Sequence, residues 1–107
     1  MDLEPARGSD ANKQRPAVIV SNDRANTVAT RLGRGMVTVV PVTSNVENVY
    51  PFQVLLSRLT SGLRVDSKAQ AEQVRSIATQ RLSQRIGQLS PAELANLDDA
   101  LRLHLSL

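Results

Sequence analysis

Every long apolar run in this chain is short, rich in β-branched residues and closed by turn chemistry, and that pattern dictates the kind of fold available. Ala17-Val18-Ile19-Val20 follows Arg15-Pro16 and stops before Asn22-Asp23, so Ala17 to Ser21 reads as a buried strand. Met36 through Val42 follows Gly33-Arg34-Gly35 and stops at Thr43-Ser44-Asn45, giving a second strand. Pro16 is tolerable at a strand's first position, whereas Pro41 demands an edge or a bulge. Phe52 to Ser57 reads as a third strand, Thr60-Ser61-Gly62 as a turn and Ile86 to Leu89 as a last short strand. Residues 3–14, with Pro5 and Gly8 among polar side chains, read as loop, and so do residues 24–35. Ser67 to Ile77 (SKAQAEQVRSI) fits either helix or strand, with propensity leaning to helix.

The clearest local signal comes near the end. Ser90-Pro91-Ala92-Glu93 is a capping box with proline at the first helical position. Leu94, Leu97, Leu101 and Leu105 follow at spacings of three and four, the apolar stripe of a packed helix. The chain therefore reads as one domain of four to six strands with a C-terminal helix packed on a small, strongly bent barrel or sandwich. Barrel residues span 15–89 and the helix 90–107. A length of 107 residues suits one domain and is too short for two.

Composition decides which chemistries are open. There is no cysteine, hence no disulfide, thiolate metal site or cysteine nucleophile, and a lone His104 cannot form a histidine pair. No metal site and no cofactor are expected. No apolar run approaches a membrane span and no secretory pattern opens the chain, so a cytoplasmic protein is expected. Tyr50 and Phe52 are the only rings, too few for a base-stacking platform, and Phe52 is expected in the core. The first 90 residues hold twelve basic and seven acidic side chains, a net of +5, and arginine dominates. Such a body suits a polyanionic partner, although arginine-rich codon usage produces the same excess.

Two strand ends carry candidate chemistry. Arg15, beside Lys13 and Gln14, precedes the first strand; Thr43-Ser44-Asn45 follows the second. If those strands are neighbours, a guanidinium and a hydroxyl meet at one sheet edge, a combination suited to a phosphodiester. The same residues also serve as an ordinary strand lead-in and an ordinary turn.

The segments RGSDANKQRPAVIVSNDRAN, VTVVPVTSN, AEQVRSI and RIGQLS, in this order and spacing, resemble the MazF/PemK group of toxin endoribonucleases, from Leu3 to Leu107. The resemblance implies an SH3-like β-barrel of the MazF/PemK/CcdB type with a C-terminal helix, forming a homodimer. It implies metal-independent, sequence-specific cleavage of single-stranded RNA (mRNA, with rRNA and tRNA as further substrates) by 2′-hydroxyl attack, and a MazE-like antitoxin that restrains the toxin. The group's catalytic arginine, the one preceding proline, falls on Arg15, and its catalytic threonine on Thr43. Ser44, Asn45 and Lys13 then sit beside the scissile phosphate. Arg24, Arg31 and Arg34 flank the RNA groove as phosphate contacts. Gln73 is a candidate base reader or a plain surface position on a strand that the resemblance draws over Glu72 to Ile77. His104 reads as surface or interface.

Met1-Asp2-Leu3-Glu4-Pro5 begins where the group's usual first strand ends, so that strand is expected to be missing, leaving an open edge for a swapped strand or partner. Two rival readings follow: the same barrel serves toxins that bind DNA gyrase without cutting anything, and a barrel lacking a strand would be an inactive antitoxin-binding domain.

Overall fold

The computed structural model describes residues 2–7, 14–22, 31 and 35–107. Seven strands appear among them: β1 (Asp2–Arg7), β2 (Gln14–Ile19), β3 (Met36–Thr43), β4 (Gln53–Leu56), β5 (Ser67–Gln70), β6 (Arg75–Ala78) and β7 (Gly87–Gln88). A single helical turn, α1, spans Arg58–Ser61, and the C-terminal helix α2 spans Pro91–Leu105. The sheet runs β4-β5-β3-β2-β1-β7, with β6 on the other flank of β3, and all pairs are antiparallel. The end strands β4 and β7 do not pair, so the sheet is open, where a barrel was expected.

β3 organises the sheet. On one flank it pairs with β2; on the other its first half pairs with β6 (Met36↔Ala78 to Val39↔Arg75) and its end with β5 (Val42↔Ala69, Thr43↔Lys68). Pro41 sits where the second flank changes partners, a gap in the ladder that suits a residue without an N–H. Val40 and Val42 face a core shared with Val18, Val54, Leu56, Ala69, Leu97 and Ala100. Val37 and Val39 face the opposite side, in a smaller cluster with Ala17, Ile19 and Ile77. Burying both faces explains why this stretch is continuously apolar rather than alternating.

Three expectations are corrected. Residues 3–14 are not all loop, and the sheet's first position is not vacant: Asp2–Arg7 form β1, between β2 and β7. Pro5 lies opposite Pro16, a pairing possible only where neither residue bonds to the other across the ladder. Their nitrogens then face outer flanks where β7 pairs only with Asp2 and Leu3, and where the pairing of β2 with β3 starts only at Ala17. The strand drawn over Glu72 to Ile77 starts later, at Arg75, because Ala71–Gln73 form a 3-10 turn that sinks Ala71 into the main core. Phe52 is not a core residue; it is half-buried and stacked on Tyr50, with ring centroids 5.6 Å apart.

Helix α2 starts as its capping box requires, with Ser90 Oγ accepting from Glu93 N at 3.1 Å and Glu93 Oε1 accepting from Ser90 N at 3.0 Å. Leu97 is buried, Leu94 and Leu101 are half-buried, and Leu105 is exposed, so the apolar stripe contacts the sheet only over its first three turns. His104 is exposed on the last turn. No described helix is long and apolar enough to cross a membrane.

Candidate functional site

Strand register brings the two strand-end residues together. β2 and β3 pair at Ile19↔Val39, Val18↔Val40 and Ala17↔Pro41. Continued by two residues, the same register sets Arg15 level with Thr43. Side chains two apart share a sheet face, so Arg15 and Ala17 project with Pro41 and Thr43. Arg15, Ala17, Pro41, Thr43 and Ser44 all line one open groove of about 1070 Å³.

Thr43 is half-buried, and its Oγ1 accepts from Asn45 N at 3.2 Å. Its hydroxyl hydrogen has no acceptor among the described residues and remains available to a ligand. Ser44 is exposed beside it. Asn45 does not line the groove: its Oδ1 accepts from Glu47 N at 3.2 Å, closing the turn after β3. The expected hydroxyl pair is therefore present, while the Asn45 side chain shapes the loop.

Gln73 lines the groove, exposed, on the 3-10 turn rather than on a strand. Arg31 is exposed and is not among the groove-lining residues. Lys13, Arg24 and Arg34 lie outside the described residues.

The groove also holds residues that local sequence did not single out: Arg64, Arg75, Arg81, Gln70 and Gln84. With Arg15 they make four arginines among the described lining residues, which include no aspartate or glutamate. Arg15, Arg64 and Arg75 have no carboxylate partner among the described residues. A concave surface with uncompensated guanidinium groups focuses positive potential and favours a polyanion. Arg75 is directly opposite Val39, four residues along β3 from Thr43, or about 13 Å at strand rise. A positive patch of that length suits an extended phosphate backbone better than a single phosphate.

Two glycines build the far wall. Gly62 ends α1 with φ of +83°, turning the chain into Leu63 and Arg64. A Cβ on Gly87 would lie 2.5 Å from the Ser61 carbonyl oxygen, so only glycine lets β7 approach α1 this closely. That approach seats Gln84 and Ile86 along the groove beside Arg64. No periodicity or motif reports such contacts, because the partners are about 25 residues apart in the chain.

Residues 1–105 match the family described as PemK-like, MazF-like toxin of type II toxin-antitoxin system. The chain is 73% identical over all its 107 residues to the endoribonuclease MazF9 of Mycobacterium tuberculosis, covering 91% of that protein. The fold resembles the solved Mycobacterium tuberculosis toxin MazF-mt6 with a TM-score of 0.83 at 22% identity, over 100% of this chain and 98% of that one. It also resembles an endoribonuclease from a mycobacterial species solved in complex with its cognate antitoxin, with a TM-score of 0.81 at 20% identity over 99% and 92% of the two chains. The chain belongs to the PemK-like, MazF-like family of toxins of type II toxin–antitoxin systems.

Proposed function

We propose that this toxin is a cytoplasmic endoribonuclease that cuts single-stranded RNA without a metal, using Arg15 and Thr43, and that a cognate antitoxin restrains it. The observation that carries the assignment is that Arg15 and Thr43, on one face by the β2–β3 register, line the same groove with three further arginines and no carboxylate among the described lining residues.

The groove binds the RNA backbone through guanidinium–phosphate contacts and leaves the bases to neutral amides such as Gln73. In the cleavage step the ribose 2′-oxygen bonds to phosphorus and passes its proton to water, and the bond to the departing 5′-oxygen breaks as that oxygen takes a proton from water, so that no proton is consumed overall. The products are a 2′,3′-cyclic phosphate and a 5′-hydroxyl. Negative charge builds on the non-bridging oxygens of the phosphorane. The Arg15 guanidinium, a planar cation with a fork of N–H donors, serves as the stabiliser of that charge. Thr43 adds a neutral donor through its free hydroxyl hydrogen. The nucleophile belongs to the substrate, so the reaction calls for no cysteine or histidine nucleophile from the chain.

Family membership supports a homodimer and a MazE-like antitoxin as the remaining partners. The test is to incubate the chain with long single-stranded RNA in EDTA, beside Arg15→Ala. Discrete fragments ending in cyclic phosphate are expected, with a loss of roughly 10²-fold or more in the variant. Intact RNA at high protein concentration, or equal cleavage by Arg15→Ala, refutes the assignment.

A further inference from the structure

We infer that Lys68 is a positioning residue for Thr43: its ammonium clamps the loop 44–50 onto the sheet and thereby holds the Thr43 hydroxyl at the groove. The catalytic half of this inference rests on the ribonuclease reading above; the clamp itself does not.

Lys68 is the cross-strand neighbour of Thr43 on one side and of Leu55 on the other. These three share a face, opposite to the core row of Val42, Ala69 and Val54. Leu55, on that outer face, is 55% exposed, yet Lys68 is only 7% exposed. Its burial therefore comes from something folded over the face at that point. Lys68 Nζ donates to the backbone carbonyl of Asn48 and lies 5.9 Å from the centre of the Tyr50 ring. Tyr50 in turn stacks on Phe52, with an angle of 12° between the rings. The cover is the loop that begins directly after Thr43.

The ends of that loop are held locally. Asn45 N donates to Thr43 Oγ1, Glu47 N to Asn45 Oδ1 and Tyr50 N to Gln53 Oε1. Among the described residues, the Lys68–Asn48 bond is the one hydrogen bond that ties its middle to the sheet. Lys68 also has no carboxylate partner among the described residues. The Lys68 side chain is buried, and its ammonium is held by one carbonyl beside one ring face. What the charge supplies is a directional anchor for the loop, one strand away from the reactive hydroxyl. Lys68 does not line the groove, so it acts through the loop and not on the substrate.

The experiment exploits the absence of cysteine. Lys68→Cys is alkylated in urea to an S-aminoethyl or an S-ethyl side chain, which differ only in the terminal ammonium, and refolded. Lys68→Met and Lys68→Arg are measured alongside. Hydrogen exchange of residues 44–50 reads the clamp, and steady-state cleavage of RNA reads its consequence. The S-ethyl and Met forms are expected to exchange about tenfold faster in the loop with β2 and β3 still protected. Their kcat falls about 10- to 100-fold with KM within about twofold, as a displaced catalytic group predicts. The S-aminoethyl form and Lys68→Arg recover most of both. Unchanged loop exchange in the S-ethyl form overturns the clamp. So does global unfolding of the S-ethyl form when the S-aminoethyl form folds, since the charge then supports the whole domain. Unaltered kcat, or a rise in KM alone, overturns the catalytic role. An unmodified chain that leaves RNA intact overturns the ribonuclease reading and the catalytic role with it, while the exchange data still judge the clamp.

Discussion

Glu93 offers a sharp test of how this fold holds its groove. The side chain is 8% exposed and its carboxylate accepts three hydrogen bonds: Oε1 from Ser90 N at 3.0 Å and from Thr60 Oγ1 at 3.1 Å, Oε2 from Ser57 N at 3.1 Å. One carboxylate thus completes the capping box of α2 and bonds the start of α1. Ser57 is the N-cap of α1, and Gly62 at its other end opens the groove wall. Hydrogen bonds to a charged acceptor contribute about 1.5–3 kcal/mol each, though three on one group do not add in full. Replacing Glu93 by Ala strands two backbone donors in a partly dry site and gains a few tenths of a kcal/mol in helix propensity. A net loss of about 3–4 kcal/mol follows, a large share of the roughly 5–15 kcal/mol expected of a domain this size. Glu93→Gln keeps one acceptor oxygen for Ser90 and Thr60 but turns an amide N–H₂ toward Ser57 N, costing about 2 kcal/mol. Urea unfolding at fixed protein concentration, followed by circular dichroism, gives both values from the shift in midpoint at constant slope. At about 4–8 °C per kcal/mol, the Ala variant should melt some 12 °C or more below the parent. A loss below about 0.5 kcal/mol for Ala, or equal losses for Ala and Gln, refutes the claim that this carboxylate joins the two helices.

Other predictions concern the groove. Gly87→Ala pushes a methyl carbon to within 2.5 Å of the Ser61 carbonyl oxygen, and should lower stability by about 1–3 kcal/mol and raise KM for RNA by displacing the wall that carries Arg64. Thr43→Val should lower kcat by about 10²-fold with RNA affinity unchanged, while Thr43→Ser, which keeps the hydroxyl, should retain most activity in single-turnover cleavage. Arg75→Ala should weaken RNA binding by a similar factor for all sequences and reduce the slope of log K against log salt by about 0.7, read by fluorescence anisotropy. RNA carrying 2′-O-methyl groups throughout should bind in the groove and resist cleavage.

Much of the local structure was legible in the chain, for a plain reason. The capping box of Ser90 and Glu93 and the leucine spacing of α2 report bonds and contacts made between residues three or four apart. The β-branched runs at Ala17 and Met36 mark the two strands at the centre of the sheet for the same reason: each carries its own apolar faces. Arg15 and Thr43 were nameable from the resemblance of the segments around them to a known family. What the chain did not announce is everything fixed by partners far away. Pro5 and Gly8 spell a loop by local rules, yet residues 2–7 form a strand because β2 and β7 supply the ladder from outside. Glu72 and Gln73 leave the expected strand because Ala71 reaches the core beneath α2. The Asn45 Oδ1 accepts from Glu47 N and closes the turn after β3, a local bond that its residue type alone does not announce.

Charge shows the same division. The arginine count, readable in the chain, suits a polyanion. Which arginines share one groove was settled by packing: Arg15 and Arg75 share a face through β3, and Arg64 joins them because Gly62 turns and Gly87 lets β7 come close. A helix closes its hydrogen bonds within a few residues, so its sequence contains its own instructions. A sheet closes them between distant segments, and so the register that levels Arg15 with Thr43, and the loop that covers Lys68, exist only once those segments have met.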